Sequence, residues 1–305
     1  MQHIGLFVNT SKPDAIAWTA KAAQLLKAAG MDCCADPSVI EHFSPEIRAL
    51  VKPLAIAEFE KFADIIVSFG GDGTILWAAK TFITSEIPIM GVNLGKLGFL
   101  AEFSVDELAS AFTALVKGEY VLEERFVIEA TVHVHPQLDH QENARAIVHY
   151  AVNDFVVHKK DFARMITVRA FADGHPIADY RADGLILATP TGSTAYSLSS
   201  GGPIIAPNCS VFSLTPVSPH SLNQRPLIIP DSTELTLEPL EESGVTSLVA
   251  DGEPVHTLDV GTRVIIRRSE KVVKLLKRVQ SSYYDLLKKK LLWSVHSGYQ
   301  QDADS

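Results

Sequence analysis

Cysteine is scarce in this chain, and its scarcity limits the chemistry available. Only Cys33, Cys34 and Cys209 occur among 305 residues, and two of them are adjacent. An odd count without a C-x-x-C pair argues against a disulfide framework and against a cysteine metal site. We therefore expect a reducing compartment and predict a cytoplasmic protein.

Positive charge is also in deficit. The chain has 27 Lys and Arg against 36 Asp and Glu, a net charge of −9. A broad nucleic-acid surface requires a basic face, so nucleic acid is not an expected partner. No apolar run has the roughly 20 residues that a membrane-spanning helix needs. The N-terminus lacks the charged start and cleavage site of a signal peptide, and we expect no membrane association.

One stretch organises the rest of the chain. The β-forming residues 65–69 predict a buried strand. The strand is followed by Gly70, Gly71, Asp72, Gly73 and Thr74, and a helix is predicted from Ile75. Glycines between a strand and a helix permit close approach to a ligand, and free N–H groups at the helix start attract phosphate. Asp72 is either a helix N-cap or a group with a chemical role beside the phosphates.

A second glycine-rich loop, residues 94–100, follows another short apolar strand at 87–93. Strands and helices alternate up to about residue 120, which predicts an α/β domain with a parallel sheet. Ligands bind beyond the carboxyl ends of such strands, so both glycine loops are expected to share a crevice. Ser104 and Glu107 have the spacing of a capping box at the start of the next helix.

Short alternating runs dominate after residue 120 and predict a mostly antiparallel, β-rich second domain. Asp173-Gly174 is a hairpin signal within it. The amphipathic residues 281–293 predict a final helix. We assign 1–120 to an α/β nucleotide-binding domain and 121–274 to a β-rich domain.

Three polar stretches of the second half are candidates for ligand contact. Asn153-Asp154 lies inside the strand-like run 147–158 and either faces solvent or binds a sugar or base. Eight of the twelve residues from Thr189 to Ser200 carry a hydroxyl, which suits a polyhydroxylated or phosphorylated ligand better than a core. Residues 250–254 have the pattern of a plain β-turn. Together these features predict a two-domain nucleotide or polyol site that performs phosphoryl transfer to a hydroxyl.

These motifs resemble a known family. Gly70-Gly71-Asp72-Gly73-Thr74 is similar to the GGDGT motif shared by NAD kinases, diacylglycerol and sphingosine kinases and 6-phosphofructokinases. The stretch from Asp183-Gly184 through Thr189 to Tyr196 resembles bacterial NAD kinases more specifically. Three further matches point the same way, namely Asn93-Leu94-Gly95 with Leu97-Gly98-Phe99, Pro219 to Leu227, and Lys290 to Trp293.

The resemblance implies ATP-dependent phosphorylation of the adenosine ribose 2′-hydroxyl of NAD, with Asp72 as the base. It implies that the C-terminal segment 275–305 packs back on the first domain, that the domain 121–274 binds NAD, and that the protein is a homodimer or homotetramer. Phosphoryl transfer from ATP calls for Mg²⁺ or another divalent cation. The sequence leaves open whether polyphosphate can replace ATP. Asp154 stands where the family usually has Glu, and Glu253 where it often has Gln. The phosphate loop would be Gly70, Gly71, Gly73 and Thr74. The implied NAD-binding residues are Asp72, Gly73, Phe99, Asn153, Asp154, Arg164, Arg181, Asp183, Thr191, Thr194, Ala195, Tyr196, Ser199 and Glu253.

Three alternatives fit less well. A lipid kinase shares the GGDGT motif, but no lipid-facing apolar insertion is visible. A 6-phosphofructokinase is built from two α/β halves, unlike this β-rich second half. A non-catalytic NAD-binding sensor would have no need of a base at Asp72.

Overall fold

A computed structural model describes residues 2–11, 13–95, 98–133, 147–160, 164–240 and 243–293. The α-helices in this part of the chain are α1 Pro13–Ala28, α2 Pro37–Ile40, α3 Pro45–Arg48, α4 Asp72–Thr81, α5 Leu108–Lys117, α6 Tyr196–Ser199 and α7 Tyr283–Leu291, and short 3₁₀ helices span Ile56–Lys61, Val105–Glu107 and Gly192–Thr194. The strands are β1 His3–Val8, β2 Asp32–Ala35, β3 Val51–Pro53, β4 Ile65–Phe69, β5 Ile89–Asn93, β6 Phe103–Ser104, β7 Val121–His133, β8 Ile147–Ala151, β9 Asp154–Lys159, β10 Ile166–Ala172, β11 His175–Ala182, β12 Gly184–Ala188, β13 Val211–Val217, β14 Leu227–Pro230, β15 Leu235–Pro239, β16 Thr246–Ala250, β17 Glu253–Leu258 and β18 Arg263–Lys277.

The chain divides into two compact units. The first contains the residues up to Ile75, then Pro88–Glu123 and the C-terminal segment from Leu275 onward. The second contains Leu76–Ile87 and Glu124–Lys274. Three of the four boundaries fall within α4, β7 and β18, and the fourth lies just before β5. The end of β18 pairs with β5 in the first unit, so the predicted return of the C-terminal segment is confirmed.

The first unit has the predicted parallel sheet. Its strands pair in the order β3-β2-β1-β4-β5, and β6 and the end of β18 also pair with β5 in parallel. All five residues of β4 and all five of β5 are buried, as expected for parallel strands covered on both faces. Because β4 and β5 are neighbours, the two glycine loops leave the same edge of the sheet.

Helix α4 begins at Asp72, so the prediction that it starts at Ile75 was wrong by one turn. Gly73 and Thr74 are therefore part of its first turn. The helix packs tightly on the neighbouring strand, because a Cβ at Gly91 would lie only 2.5 Å from Ile75 Cδ1. Glycine at position 91 thus permits the close approach of α4 to β5.

The turn before α5 confirms the predicted link between Ser104 and Glu107. The backbone N–H and the hydroxyl of Ser104 both donate to Glu107 Oε2, at 3.0 and 2.6 Å. The helix ends at Lys117, and Gly118 follows with φ of +70°, the left-handed conformation that favours glycine.

The second unit is largely antiparallel, as predicted. One sheet has the order β14-β13-β12-β9-β16-β17, while β11-β10-β15-β18 form another set to which β7 and β8 are joined. Their facing side chains form one apolar core. Asp173 and Gly174 make the predicted hairpin turn, with φ of +49° and +77°. No helix among the described residues is long and apolar enough to cross a membrane.

The run 147–158 is not the single strand that its sequence suggests. It is divided into β8, which ends at Ala151, and β9, which begins at Asp154. The backbone bends at Val152 and Asn153, where a side chain from another turn accepts their N–H groups. Asn153 and Asp154 therefore stand at a break between two strands.

Candidate active site

The loop after β4 brings exposed backbone to the sheet edge. The Gly70 N–H donates to the Val92 carbonyl at 3.0 Å, and a Cβ at Gly70 would lie 2.2 Å from the Thr74 hydroxyl. Gly70 is therefore required for packing within the loop. Apart from the chain neighbours and the backbone of α4 itself, no atom of the described residues lies within 4 Å of a Cβ added at Gly71 or Gly73, so both leave their backbone open to a ligand.

The Asp72 carboxylate binds the second glycine loop. Its Oδ2 accepts the Phe99 N–H at 2.8 Å, and its Oδ1 accepts the N–H groups of Leu100 and Ala101 at 3.0 and 3.4 Å. A Cβ at Gly98 would lie 1.9 Å from Oδ1, so only glycine permits this approach. The Asp72 side chain thus binds a distant loop instead of its own helix, and the N-cap interpretation is wrong.

This arrangement leaves Asp72 able to accept one further proton donor. A carboxylate offers about four lone-pair sites, and three N–H groups occupy three of them. Oδ2 accepts only one of these three bonds from the described chain, so its second lone pair is available. Since the carboxylate is held from three directions, its orientation is set before any ligand binds.

The turn between β16 and β17 contains a buried carboxylate that, like Asp72, accepts backbone N–H groups of a distant segment. Asp251 Oδ1 accepts the N–H groups of Asn153 and Asp154 at 2.7 and 3.2 Å, and Oδ2 accepts that of Val152 at 3.1 Å. The Lys80 ammonium lies 3.8 Å from Asp251 Oδ2 and donates to the carbonyl of the preceding residue at 3.0 Å. Asp251 therefore fixes the break between β8 and β9.

Asp251 is a site residue that its local sequence does not reveal. Asp251 and Gly252 have φ of +48° and +83°, so the turn itself was identified correctly. The Asp-Gly pattern reports only this local geometry. The N–H groups that Asp251 binds lie 97 to 99 positions away, and the sequence carries no signal for them.

Two carboxylates are thus buried close together. Burial raises the pKa of Asp154 from 3.8 to about 7, the negative charge of Asp251 adds to the rise, and Lys80 partly offsets it. Burial also raises the pKa of Asp251, against which its three N–H bonds and Lys80 act. Asp154 is only 3% exposed, so the solvent-facing interpretation of Asn153-Asp154 does not hold for it.

The hydroxyl-rich segment packs against this break. The Thr189 hydroxyl donates to the Val152 carbonyl at 2.6 Å, and the Thr189 N–H to the Asn153 carbonyl at 2.8 Å. A Cβ at Gly192 would lie 2.1 Å from the Asn153 carbonyl oxygen. The Ser193 hydroxyl donates within the same segment, to the Pro190 carbonyl. Several hydroxyls that the sequence offers as ligand donors therefore serve the fold.

A cavity of about 430 Å³ lies within the second unit. Burial, and then the charges of Asp183 and Asp154, raise the pKa of Tyr196 at its wall, so the phenol remains a donor at neutral pH. Both polar and apolar residues line the cavity, and such a lining suits a nucleoside or a similar ligand. The lining residues are Asn153, Asp154, Val156, His158, Ala195, Tyr196, Val249, Asp251 and Gly252.

The other predicted NAD-binding residues of this unit lie outside that lining. Arg164 and Arg181 are exposed, and Asp183 forms an ion pair with Lys159 at 2.5 Å. The Glu253 side chain is 73% exposed and pairs with Lys80 at 3.3 Å.

Three hydroxyl residues also lie outside the lining. Thr191 is buried, the Thr194 hydroxyl donates to the Thr191 carbonyl at 3.1 Å, and the Ser199 hydroxyl to the Tyr196 carbonyl at 3.3 Å. Two residues of the second glycine loop, Lys96 and Leu97, are outside the described residues.

The described residues contain no cluster of three or more His, Cys, Asp or Glu side chains that could hold a metal ion. Mg²⁺ is commonly held by one or two carboxylates together with substrate phosphates and water. The donor set of the described chain therefore fits a cation that arrives on a nucleotide and does not fit a cation with a protein cage.

Comparison with known proteins gives a consistent result. The ATP-NAD kinase N-terminal domain model matches residues 4–120, and the ATP-NAD kinase C-terminal domain model matches residues 152–278. An NAD kinase of Bacteroides fragilis is 37% identical over 293 residues, which cover 96% of this chain and 98% of that protein. An NAD kinase of Sulfurimonas denitrificans is 40% identical over 78% of this chain and 81% of its own length.

Solved structures share the fold. Yeast NADH kinase, in complex with NADH, superposes with a TM-score of 0.87 at 25% identity, covering 99% of this chain and 90% of the yeast chain. An NAD kinase from Archaeoglobus fulgidus, in complex with ATP, gives a TM-score of 0.71 at 24% identity over 96% of this chain and 100% of its own. With both domain models matched in order and relatives well above 30% identity along nearly the whole chain, this chain belongs to the NAD kinase family.

Proposed function

We propose that this member of the NAD kinase family transfers the γ-phosphoryl group of ATP to the adenosine ribose 2′-hydroxyl of NAD, with Asp72 as the general base. The 2′-oxygen forms a bond to the γ-phosphorus, the bond from that phosphorus to the β,γ-bridging oxygen breaks, and ADP leaves. The 2′-hydroxyl proton passes to Asp72. The observation that carries this role is the set of three bonds that fix the Asp72 carboxylate and leave the second lone pair of Oδ2 without a donor from the described residues.

The cavity of the second unit is the proposed site for the nucleoside part of NAD. Asn153 and Asp154 would bind ribose hydroxyls, and Tyr196 offers both a ring and a phenol donor. Asp154 with a pKa of about 7 is half protonated near neutral pH, so it can donate as well as accept. We propose further NAD contacts from Gly73, Phe99, Arg164, Arg181, Asp183, Thr191, Thr194, Ala195, Ser199 and Glu253.

The open backbone at Gly71 and Gly73 is the proposed seat of the ATP phosphates, next to Gly70 and Thr74. The Thr74 side chain is buried against Gly70 and its N–H donates to the Gly71 carbonyl at 2.9 Å, so we assign Thr74 the role of shaping the phosphate loop. A divalent cation such as Mg²⁺, carried on the phosphates, would offset their charge. We also propose a homodimer or homotetramer in the cytoplasm, no nucleic-acid partner, and polyphosphate as a donor to be tested beside ATP.

The test is NADP formation from NAD, ATP and Mg²⁺ by the wild type, Asp72→Asn and Asp106→Asn. Asp106 is an exposed carboxylate of the same unit and serves as the matched control. Loss of a positioned base costs about 10²- to 10⁴-fold, so we expect at least about a 10²-fold lower kcat for Asp72→Asn and no change for the control.

Two results would overturn parts of the proposal. An active Asp72→Asn variant would support the kinase activity but refute the role of Asp72 as the base. A folded wild type that binds NAD, measured by calorimetry, but forms no NADP would indicate an NAD sensor. NADH and polyphosphate are assayed in parallel to define the acceptor and donor.

A further inference from the structure

The loop that holds Asp72 continues directly into one buried glutamate. Phe99, Leu100 and Ala101 donate their N–H groups to Asp72, and Glu102 is the next residue. The Glu102 N–H donates to the Gly91 carbonyl at 3.2 Å. The backbone on the C-terminal side of the three donors is therefore fixed at Glu102.

Three residues of the C-terminal segment bind Glu102. Lys277 Nζ and Ser281 Oγ donate to Glu102 Oε2, at 3.2 and 3.1 Å. Arg278 donates to the Glu102 carbonyl at 3.1 Å. The Lys277 and Glu102 side chains are only 4% and 10% exposed. A buried charge that loses its partner is strongly unfavourable, so this contact constrains the geometry more than a surface ion pair would.

Two more contacts join the C-terminal segment to residues 99–107. Arg278 also donates to both carboxylate oxygens of Glu107, at 2.9 and 2.7 Å, and this pair fixes the guanidinium that binds Glu102. In the last turn of α7, Lys290 Nζ lies 5.4 Å from the centre of the Phe99 ring, within the range of a cation–π contact. The C-terminal segment thus contacts the loop at Phe99, the first of the three Asp72 donors, and at Glu102, the residue after the last of them.

We propose that Glu102 is a positioning residue for Asp72, through which the C-terminal segment sets the orientation of the base. This inference rests on the proposed role of Asp72. Loosening Glu102 lets the 99–101 backbone drift, the carboxylate loses its fixed orientation, and the chemical step slows. NAD binding changes less than kcat, because the cavity proposed to bind the nucleoside is formed by other residues and Phe99 is the one proposed NAD contact in the 99–101 backbone.

The chain offers a closely matched control for a glutamate that serves only stability. Glu129 in β7 is 14% exposed, forms an ion pair with Arg267 at 2.7 Å and accepts the Ser269 hydroxyl at 2.9 Å. Glu102 and Glu129 are therefore both largely buried, and each has a close cation and a serine as partners, while Glu102 has Arg278 Nε as a second cation 3.9 Å from its Oε1. Only Glu102 adjoins the donors of Asp72.

The experiment compares Glu102→Gln and Glu129→Gln for kcat, for KM of NAD and for amide hydrogen exchange of residues 98–104. A misplacement of about 1 Å can cost about 10²-fold in rate. We expect Glu102→Gln to lower kcat at least about tenfold with KM within about threefold, and to speed exchange at Phe99, Leu100 and Ala101. Glu129→Gln leaves all three readouts at their wild-type values.

Further variants keep the test decisive. If Glu102→Gln does not fold, Ser281→Ala removes one bond to the same carboxylate and must shift kcat and exchange in the same direction. If folded Glu102→Gln keeps the wild-type kcat, or if its kcat falls no more than that of Glu129→Gln, the inference is overturned. Asp72→Asn separates the two proposals: full activity of that variant refutes the base, whereas an inactive Asp72→Asn beside an unaffected Glu102→Gln refutes only the positioning role.

Discussion

The backbone N–H of Asp154 donates to the carboxylate of Asp251 at 3.2 Å, so one buried acid holds another in place. Asp154 is 3% exposed, and the Asp251 side chain is 1% exposed. Lys80 supplies positive charge 3.8 Å from Asp251. Two acids beside one cation cannot both be ionised without cost, and this makes the site sensitive to pH.

The free energy of unfolding should fall as pH rises through neutrality, and Asp154 should account for part of the fall. Its pKa is 3.8 when unfolded and about 7 when folded, so the folded state holds this proton more tightly. The resulting stabilisation is complete below about pH 4 and is lost as pH rises through about 7. A tenfold change in proton affinity corresponds to about 1.4 kcal/mol, so the effect is of the order of a few kcal/mol.

Urea unfolding of the wild type and Asp154→Asn at pH 5 and pH 8 checks this expectation. The asparagine variant lacks the titration, so its stability relative to the wild type should increase between the two pH values. Other groups titrate in both proteins and cancel in the difference. Identical pH dependence of the two proteins would show that Asp154 is ionised normally.

The two carboxylates that pair with Lys80 should differ sharply in their contribution to stability. Asp251→Asn replaces a carboxylate that accepts three N–H groups by an amide with a single acceptor oxygen. A buried donor left unpaired costs about 1–3 kcal/mol. Glu253→Gln changes an exposed side chain and should remain within about 0.5 kcal/mol of the wild type.

Both variants are compared by urea unfolding and by KM for NAD. Because Asp251 positions Asn153 and Asp154, its substitution should also raise KM. Equal unfolding free energies for Asp251→Asn and Glu253→Gln would show that the three N–H bonds contribute nothing measurable.

Local sequence pattern predicted the parts of the fold that depend on local chemistry. The apolar runs at β4 and β5 are buried on both faces, and such runs are typical of parallel strands. The Asp173-Gly174 turn and the Ser104–Glu107 bond depend on neighbours within a few residues. In each case the interacting groups lie in one short stretch, so one sequence window contains the signal.

The contacts that make the candidate site are not local. Asp72 binds N–H groups 27 to 29 positions away, because β4 and β5 pair in parallel and bring their following loops together. Asp251 binds N–H groups 97 to 99 positions away. Burial and charge together set the behaviour of Asp154, and neither can be read from its two neighbours. Strand pairing creates these relationships, and the sequence alone leaves the pairing open.

Thiol reactivity should distinguish the three cysteines. Burial raises the pKa of Cys33 and of Cys34 to about 12, whereas Cys209 is exposed. The thiolate is the reactive form, so a disulfide reagent at pH 8 should modify one thiol in the native protein and all of them after denaturation. Cys209→Ser should abolish the native reaction, and a rapid second equivalent would show that the β2 cysteines are accessible.

The strictest test of the Asp72 geometry is a single methyl group. A Cβ at Gly98 would lie 1.9 Å from Asp72 Oδ1, so Gly98→Ala must displace either the carboxylate or the loop that binds it. Because small misplacements of a catalytic group are costly, kcat should fall by at least about tenfold. Gly95→Ala, in the same loop, adds a Cβ with no atom of the described chain within 4 Å and should retain wild-type kcat. Steady-state rates of both variants decide the matter, since a fully active Gly98→Ala would mean that the reaction does not need Asp72 where the N–H groups of 99–101 hold it.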